Sequence, residues 1–411
     1  MQTSEDEKSL LKRPYVVLAL VSLAEFMAMS IWFSFSAIKP LISDQWEISN
    51  TDTGLILAAF QLGYILAVPL MGYLADLFNV RKVFAISALT AALLNLAFAL
   101  LANDLLSALL LRFIVGMAMA GVYTPGIKFL SSWFEPKQRG RSVGIFVGAL
   151  VAGSASPYLL TPLAQDWGWQ ALVFITVGGA IAAAALMAFV VPDAEVNIAP
   201  GTRGYNFGIL KDKPMALMNA GYVSHMWELY AMWAWIGPFL VFAFLQRGES
   251  EAFANSFGGL LAFLIIAVGA PASVIAGILS DRFGRTAVAG LFLLTSAIIS
   301  FFFGFLAAAP IALIASIGIV YGFSIVGDSS VFSTGITELA PSRNIGAALG
   351  LQSLLGFGIT IISIALFGFI VDHASWEIAF LSLGIGAVVG PLAMVWLRRF
   401  PESARMAAGK R

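Results

Sequence analysis

Of the 411 residues, 60% are hydrophobic and only 11% are charged, far below the roughly 25% charge of soluble domains, so a chain that crosses a membrane many times is expected. Lys and Arg balance Asp and Glu at 23 each, so charge points to no acidic polymer and no nucleic-acid partner is expected. Cysteine is absent, which excludes disulfides, thiolate metal sites and thiol nucleophiles. His225 and His373 are too far apart to form a metal cluster unaided, and no nucleophile constellation marks an enzyme.

Residues 1–14 form a polar tail that runs into an apolar segment too long for a signal-peptide core, so it reads as retained. Spanning the hydrocarbon takes roughly 20 apolar residues in a helix. Twelve such stretches occur near 15–38, 53–75, 83–102, 105–132, 142–163, 170–191, 214–245, 254–276, 287–307, 310–334, 346–370 and 376–397. The longest polar interruption, 192–213, divides them into a six-helix bundle over 15–191 and a second over 214–397, with a polar tail at 398–411. An all-α membrane fold of two six-helix bundles is predicted. Nineteen of the Lys and Arg residues fall in the tails and the loops after segments 2, 4, 6, 8 and 10, against Lys39 and Arg247 on the other side. The bias predicts cytoplasmic termini, tail and linker, in a plasma or inner membrane.

A loop sequence recurs once per half. Gly72-Tyr-Leu-Ala-Asp76-Leu-Phe-Asn79-Val-Arg81-Lys82 returns 205 positions later as Gly277-Ile-Leu-Ser-Asp281-Arg282-Phe-Gly284-Arg285, and Pro136 and Pro341 keep the same spacing. Repeated halves are how membrane carriers build alternating access. These residues resemble the major facilitator superfamily, whose loop between helices 2 and 3 reads G-x-L-a-D-r-x-G-r-r with a degenerate copy between helices 8 and 9. The resemblance implies pseudo-symmetric bundles, a central substrate cavity and a gating role for both copies. In the first copy Leu77, Asn79 and Val80 depart from the pattern; Asn tolerates the left-handed conformation, so the turn is expected to survive, with Arg81 and Lys82 as the partners of Asp76. Leu111-Arg112-Phe-Ile-Val-Gly116 resembles the family's helix 4 motif, placing Arg112 in the membrane against acceptors of the first half. Tyr123 to Gly140 resembles the helix 4 exit of organic-anion symporters. The helix 5 antiporter motif is incomplete here, although Gly144, Gly148, Gly153 and Pro157 match parts of it.

Buried ionisable groups cost several kcal/mol in a bilayer and mark function or a specific partner. Glu25 lies about 15 Å into the first segment, at the midplane. The 205-residue register maps it to Tyr230, within half a turn of Glu228. His225 and Glu228, three apart, share a helix face and are expected to hydrogen-bond or share a proton, so Glu25, Glu228 and His225 are the candidate proton-coupling residues. Asp328, about 27 Å along its helix, is read as lining the cavity or gating with Arg343. Lys128 is read as a snorkelling amine. Trp32, Arg112, Tyr123, Trp227, Tyr230, Trp233, Trp235, Tyr321, Asp328 and Gln352 are the candidate cavity residues.

The reading is a secondary transporter of a small organic solute, leaning to proton-coupled symport of an organic anion. The alternative is a drug/proton antiporter, for which Glu25 and the aromatic seventh segment speak. A receptor or scaffold has no use for costly mid-membrane carboxylates. No cofactor is expected beyond a coupling proton or other cation; the partners are a small-molecule substrate and the bilayer, and the chain is expected to be monomeric.

Overall fold

The computed structural model describes residues 13–193, 207–341 and 344–411; the tail through residue 12, most of the linker and Arg343 lie outside the described residues. Among the described residues there is no strand, and twelve helices are long and apolar enough to span a membrane: α1 Pro14–Ser43, α2 Asn50–Leu77, α3 Val80–Leu101, α4 Leu105–Trp133, α5 Arg141–Trp167, α6 Trp169–Val190, α7 Lys213–Gln246, α8 Glu251–Phe283, α9 Arg285–Ala308, α10 Ile311–Leu339, α11 Ile345–His373 and α12 Trp376–Leu397. The predicted twelve-helix fold holds. Helices satisfy every backbone group locally, which lipid demands.

Short polar side chains start these helices by accepting from their first free N–H groups. Asp104 and Ser107 form a capping box at α4, and the Ser107 hydroxyl and N–H hold the Asp104 carboxyl below the usual carboxylate range. Asp212 caps α7, with Pro214 in its first turn; Ser250 and Ser375 cap α8 and α12.

The chain forms two compact units, one of Met1–Glu47 with Ala59–Ala199, the other of Ile48–Ala58 with Pro200–Arg411. In the first, α1 packs on α5 and α6, and α3 on α4 and α6. The α2–α4 crossing is a backbone-to-backbone approach: a methyl at Gly63 would come within 2.0 Å of the Phe113 carbonyl oxygen, and one at Gly116 within 2.1 Å of that of Phe60. Small residues give such close approach in lipid, where apolar burial drives little association. In the second unit α7 packs on α8 and α11, and α9 on α10 and α12.

Several spans are broken. α1 loses helical form at Ser30–Phe33, and α4 restarts at Tyr123 after Ala120–Val122. α10 restarts at Ser329 after Asp328; the 205-residue repeat carries Tyr123, the first residue after the α4 break, onto Asp328, so the two interruptions lie within one residue of each other in the register. The polar segment after α12 folds back on its own unit: Ser403 and Met406 are fully buried, and the Ala407 N–H donates to Glu338 Oε2 at 3.1 Å.

Candidate functional site

Buried polar groups of the second unit gather on α7. Glu228 is fully buried; Ser296 donates to its Oε2 at 2.8 Å and Ser300 to its Oε1. The Ser300 hydroxyl also meets the Tyr321 hydroxyl, so α9 and α10 together surround this carboxyl with neutral hydroxyls. His225 faces the break in α10 instead. Its Nδ1 is 2.8 Å from Asp328 Oδ1 and its Nε2 2.9 Å from Ser329 Oγ. The expected His225–Glu228 pair is therefore corrected: a spacing of three leaves side chains about 60° apart around a helix, and each meets its partners on other helices. Asp328 is 1% exposed, and its expected partner Arg343 lies outside the described residues.

In the first unit Glu25 is fully buried, and neither carboxyl oxygen has a hydrogen-bond partner among the described residues. Arg112, also fully buried, is held by the broken part of α1: it donates from Nη2 to the Trp32 carbonyl at 2.7 Å and from Nη1 to the Ile31 carbonyl at 3.3 Å. Asn95 Oδ1 accepts at 3.3 Å, and the Phe60 ring lies 4.5 Å from the guanidinium carbon. At the interruption of α1 the guanidinium fork thus supplies donors to the Trp32 and Ile31 carbonyls, the latter also accepting from the Ser34 hydroxyl at 2.8 Å.

The two loop copies are wired differently. Asp76 pairs with Lys128, whose ammonium also donates to the Ala75 carbonyl at 2.7 Å, so the Lys128 amine is held by protein partners at a partly exposed site. Nor is Arg81 the partner of Asp76, as expected; it pairs with Asp193 at 2.9 Å and donates to the Val191 carbonyl. Lys82 is exposed. Asn79 does not take the left-handed turn. With φ −59° it is the N-cap of α3, accepting from the Arg81 and Lys82 N–H groups and donating to Asp193 at 2.8 Å. Gly72 has open space around it.

In the second copy Gly284 does hold the left-handed φ, +99°, and a methyl there would come within 2.1 Å of the Arg411 carbonyl oxygen. Arg285 bridges Asp281 at 2.7 Å and Glu338 at 2.9 Å, and donates to Ser280 Oγ at 2.6 Å. Lys410 donates to the Asp281 carbonyl at 2.8 Å. Arg282 stays exposed beside the Phe283 ring, and a methyl added at Gly277 would lie 3.8 Å from Ser330 Oγ. Glu338 and the returning C-terminal segment were not anticipated; position 338 maps by the repeat to Trp133, so the register offered no pointer.

The aromatic candidates spread out. Trp32 packs on Phe60 and Tyr64 with centroids 5.1 and 4.8 Å away, and Tyr123 stacks on Phe146. The three α7 tryptophans point apart: Trp227 donates to the Ser382 carbonyl of α12 at 3.3 Å, Trp235 to the Ile364 carbonyl of α11 at 3.1 Å, and Trp233 lies against Tyr230. Tyr230 also meets Phe357 edge-on at 5.4 Å. Gln352 is buried, with Nε2 3.5 Å from the Phe332 carbonyl.

The model of the Major Facilitator Superfamily matches residues 21–248, more than half the chain. The chain belongs to this superfamily. Two similar relatives are the hexuronate transporter of Bacillus subtilis (strain 168), 26% identical over 391 residues covering 88% of this chain and 89% of the relative, and the glycerol-3-phosphate transporter of the same organism, 24% identical with 88% of each covered. Among solved structures, a bacterial homolog to the human lysosomal transporter Spinster, inward-facing and occupied, superposes with a TM-score of 0.74 at 15% identity, covering 95% of this chain and 98% of that one. The nucleoside transporter NupG gives 0.73 at 14%, covering 93% and 99%. Both share the superfamily fold. The chain is thus a multi-pass membrane protein and a secondary transporter of small solutes, not an enzyme.

Proposed function

We propose that this superfamily member is a proton-coupled symporter for a small organic anion, with both termini in the cytoplasm. The observation that carries the coupling is Glu228, fully buried and met by the Ser296 and Ser300 hydroxyls. A carboxyl served by neutral donors inside a membrane can take up and give back a proton during each cycle. His225, Asp328 and Ser329 form a second proton-bearing cluster, and Glu25 supplies a buried carboxyl to the first unit. The anion preference is supported by relatives named for hexuronate, glycerol-3-phosphate, galacturonate and sulfoacetate, all negatively charged at neutral pH. The Lys and Arg bias supports the orientation.

The test is uptake into proteoliposomes, with glucuronate, glycerol 3-phosphate and sulfoacetate first screened for thermal stabilisation of the purified protein. Glu228→Gln should keep exchange of the stabilising anion yet lose accumulation driven by a pH gradient. A Gln variant that still concentrates the anion with unchanged pH dependence overturns the coupling role. One observation favours a second reading, a drug/proton antiporter: Glu25 has no hydrogen-bond partner among the described residues and could meet a cationic substrate. Proton release on binding a lipophilic cation, with no response to the anions, would establish it.

A further inference from the structure

Two hydroxyls of α9, Ser296 and Ser300, clasp the Glu228 carboxyl, but they differ in what else they touch. Ser296 Oγ lies 2.8 Å from Glu228 Oε2 and 3.1 Å from the Leu293 carbonyl oxygen of its own preceding turn. A serine hydroxyl has one proton and two lone pairs, so Ser296 donates to one of these acceptors at a time. Ser300 meets Glu228 Oε1 on one side and the Tyr321 hydroxyl on the other. Among the described residues, neither Ser300 Oγ nor the Tyr321 hydroxyl has a hydrogen-bond partner outside that trio. All four side chains are buried at 1% exposure or less.

Counting protons separates the two carboxyl oxygens. With Glu228 ionised, Tyr321 donates to Ser300, Ser300 to Oε1 and Ser296 to Oε2, and every hydroxyl proton has an acceptor. A proton added at Oε1 turns Ser300 around and leaves three protons among three oxygens, with no acceptor free of a proton of its own. A proton added at Oε2 donates to Ser296 Oγ, and the Ser296 proton swings to the Leu293 carbonyl, which carries none. Nothing on the Oε1 side has to move. A buried donor left without an acceptor is costly, which favours the second course. Besides Tyr321, the titratable group facing this carboxyl is Asp328, from the break of α10, and it is paired with His225.

We propose that Ser296 is a positioning residue of the coupling site: the proton enters and leaves at Glu228 Oε2, and the Ser296 hydroxyl rotates between Oε2 and the Leu293 carbonyl to serve both states. This rests on the reading of Glu228 as the coupling carboxyl. Only the O–H bond at Oε2 forms and breaks; Ser296 keeps its proton throughout, and Ser300 and Tyr321 hold Oε1 in both states.

Infrared difference spectra of the full chain in lipid, recorded as the pH is stepped, test this without a transported solute. The band to follow is the C=O stretch of protonated Glu228, assigned by its loss in Glu228→Gln. With the proton on Oε2 the carbonyl oxygen is Oε1, whose donor is Ser300. Ser300→Ala should therefore shift the band to higher frequency, as should Ser300→Cys, a weaker donor, if the first fails to fold. Ser296→Ala should shift it much less, and Ser296→Thr, whose hydroxyl also reaches the preceding turn, should match the parent. No shift in the Ser300 variants, or a shift as large in Ser296→Ala, overturns the proposal and leaves the coupling role of Glu228 standing. A parent spectrum with no carboxyl band that Glu228→Gln removes overturns both.

Discussion

At the scale of single residues, cost was readable and partnership was not. Glu25, Glu228, Asp328 and Arg112 stand out in the sequence because charge in hydrocarbon is expensive, and all four are buried at 1% exposure or less. Their partners were hidden, because Ser296 and Ser300 are hydroxyls of a kind scattered through every span, and most serines here bond their own preceding turn, as Ser316 and Ser324 do. The four-residue spacing of Ser296 and Ser300 was the one available signal. Arg112 makes the clearest residue-scale prediction. Arg112→Ala should destabilise the protein by about 3–5 kcal/mol, since it leaves buried acceptors unpaired. Arg112→Lys should recover only part of that, having a charge without the fork. Thermal unfolding in detergent measures both; equal stability of the Lys variant and the parent would show that charge alone suffices.

Elements tell a different story, in which the loop repeat was legible but its wiring was not. The glycine of the pattern is kept where the left-handed turn exists, at Gly284, and replaced where an N-cap does the work, at Asn79. Lys128 read as a snorkelling amine with no hint of its partner, because Asp76 is 52 positions away in sequence and only folding brings them together. That pair is partly exposed and contributes about 1 kcal/mol or less, so its effect should be on gating rather than stability. Asp76→Lys combined with Lys128→Asp should restore transport lost in either single variant, without a change in melting temperature; failure of the swap to rescue would dismiss the pair. Glu338 binds both Arg285 and the Ala407 N–H, so Glu338→Gln should loosen the returning segment and speed tryptic cleavage at the exposed Arg405. Cleavage at the parent rate would assign the docking to Met406 and Ser403 alone.

The whole molecule was the most legible level. Twelve spans and the 205-residue register follow from apolar run lengths and a repeated loop, both local properties of the chain. The breaks of α4 and α10, within one residue of each other in that register, carry the repeat into backbone geometry. The division of α2 between units was beyond reach, because a continuous apolar helix gives no hint that its first turns belong elsewhere. Asp372, near the end of α11, accepts from the Asn50 and Thr51 N–H groups at 3.2 and 2.6 Å, and from their side chains at 2.8 and 2.7 Å.

A single helix can therefore keep two clocks. Amide deuteration of Ile48–Ala58 should follow the opening of the unit that owns Asp372, while the rest of α2, from Ala59 on, follows the other. Asp372→Ala should quicken exchange in the first stretch by roughly fivefold, the cost of about 1 kcal/mol for a lost N-cap, and leave the second unaltered. Uniform acceleration along all of α2 would mean that the helix opens as one piece.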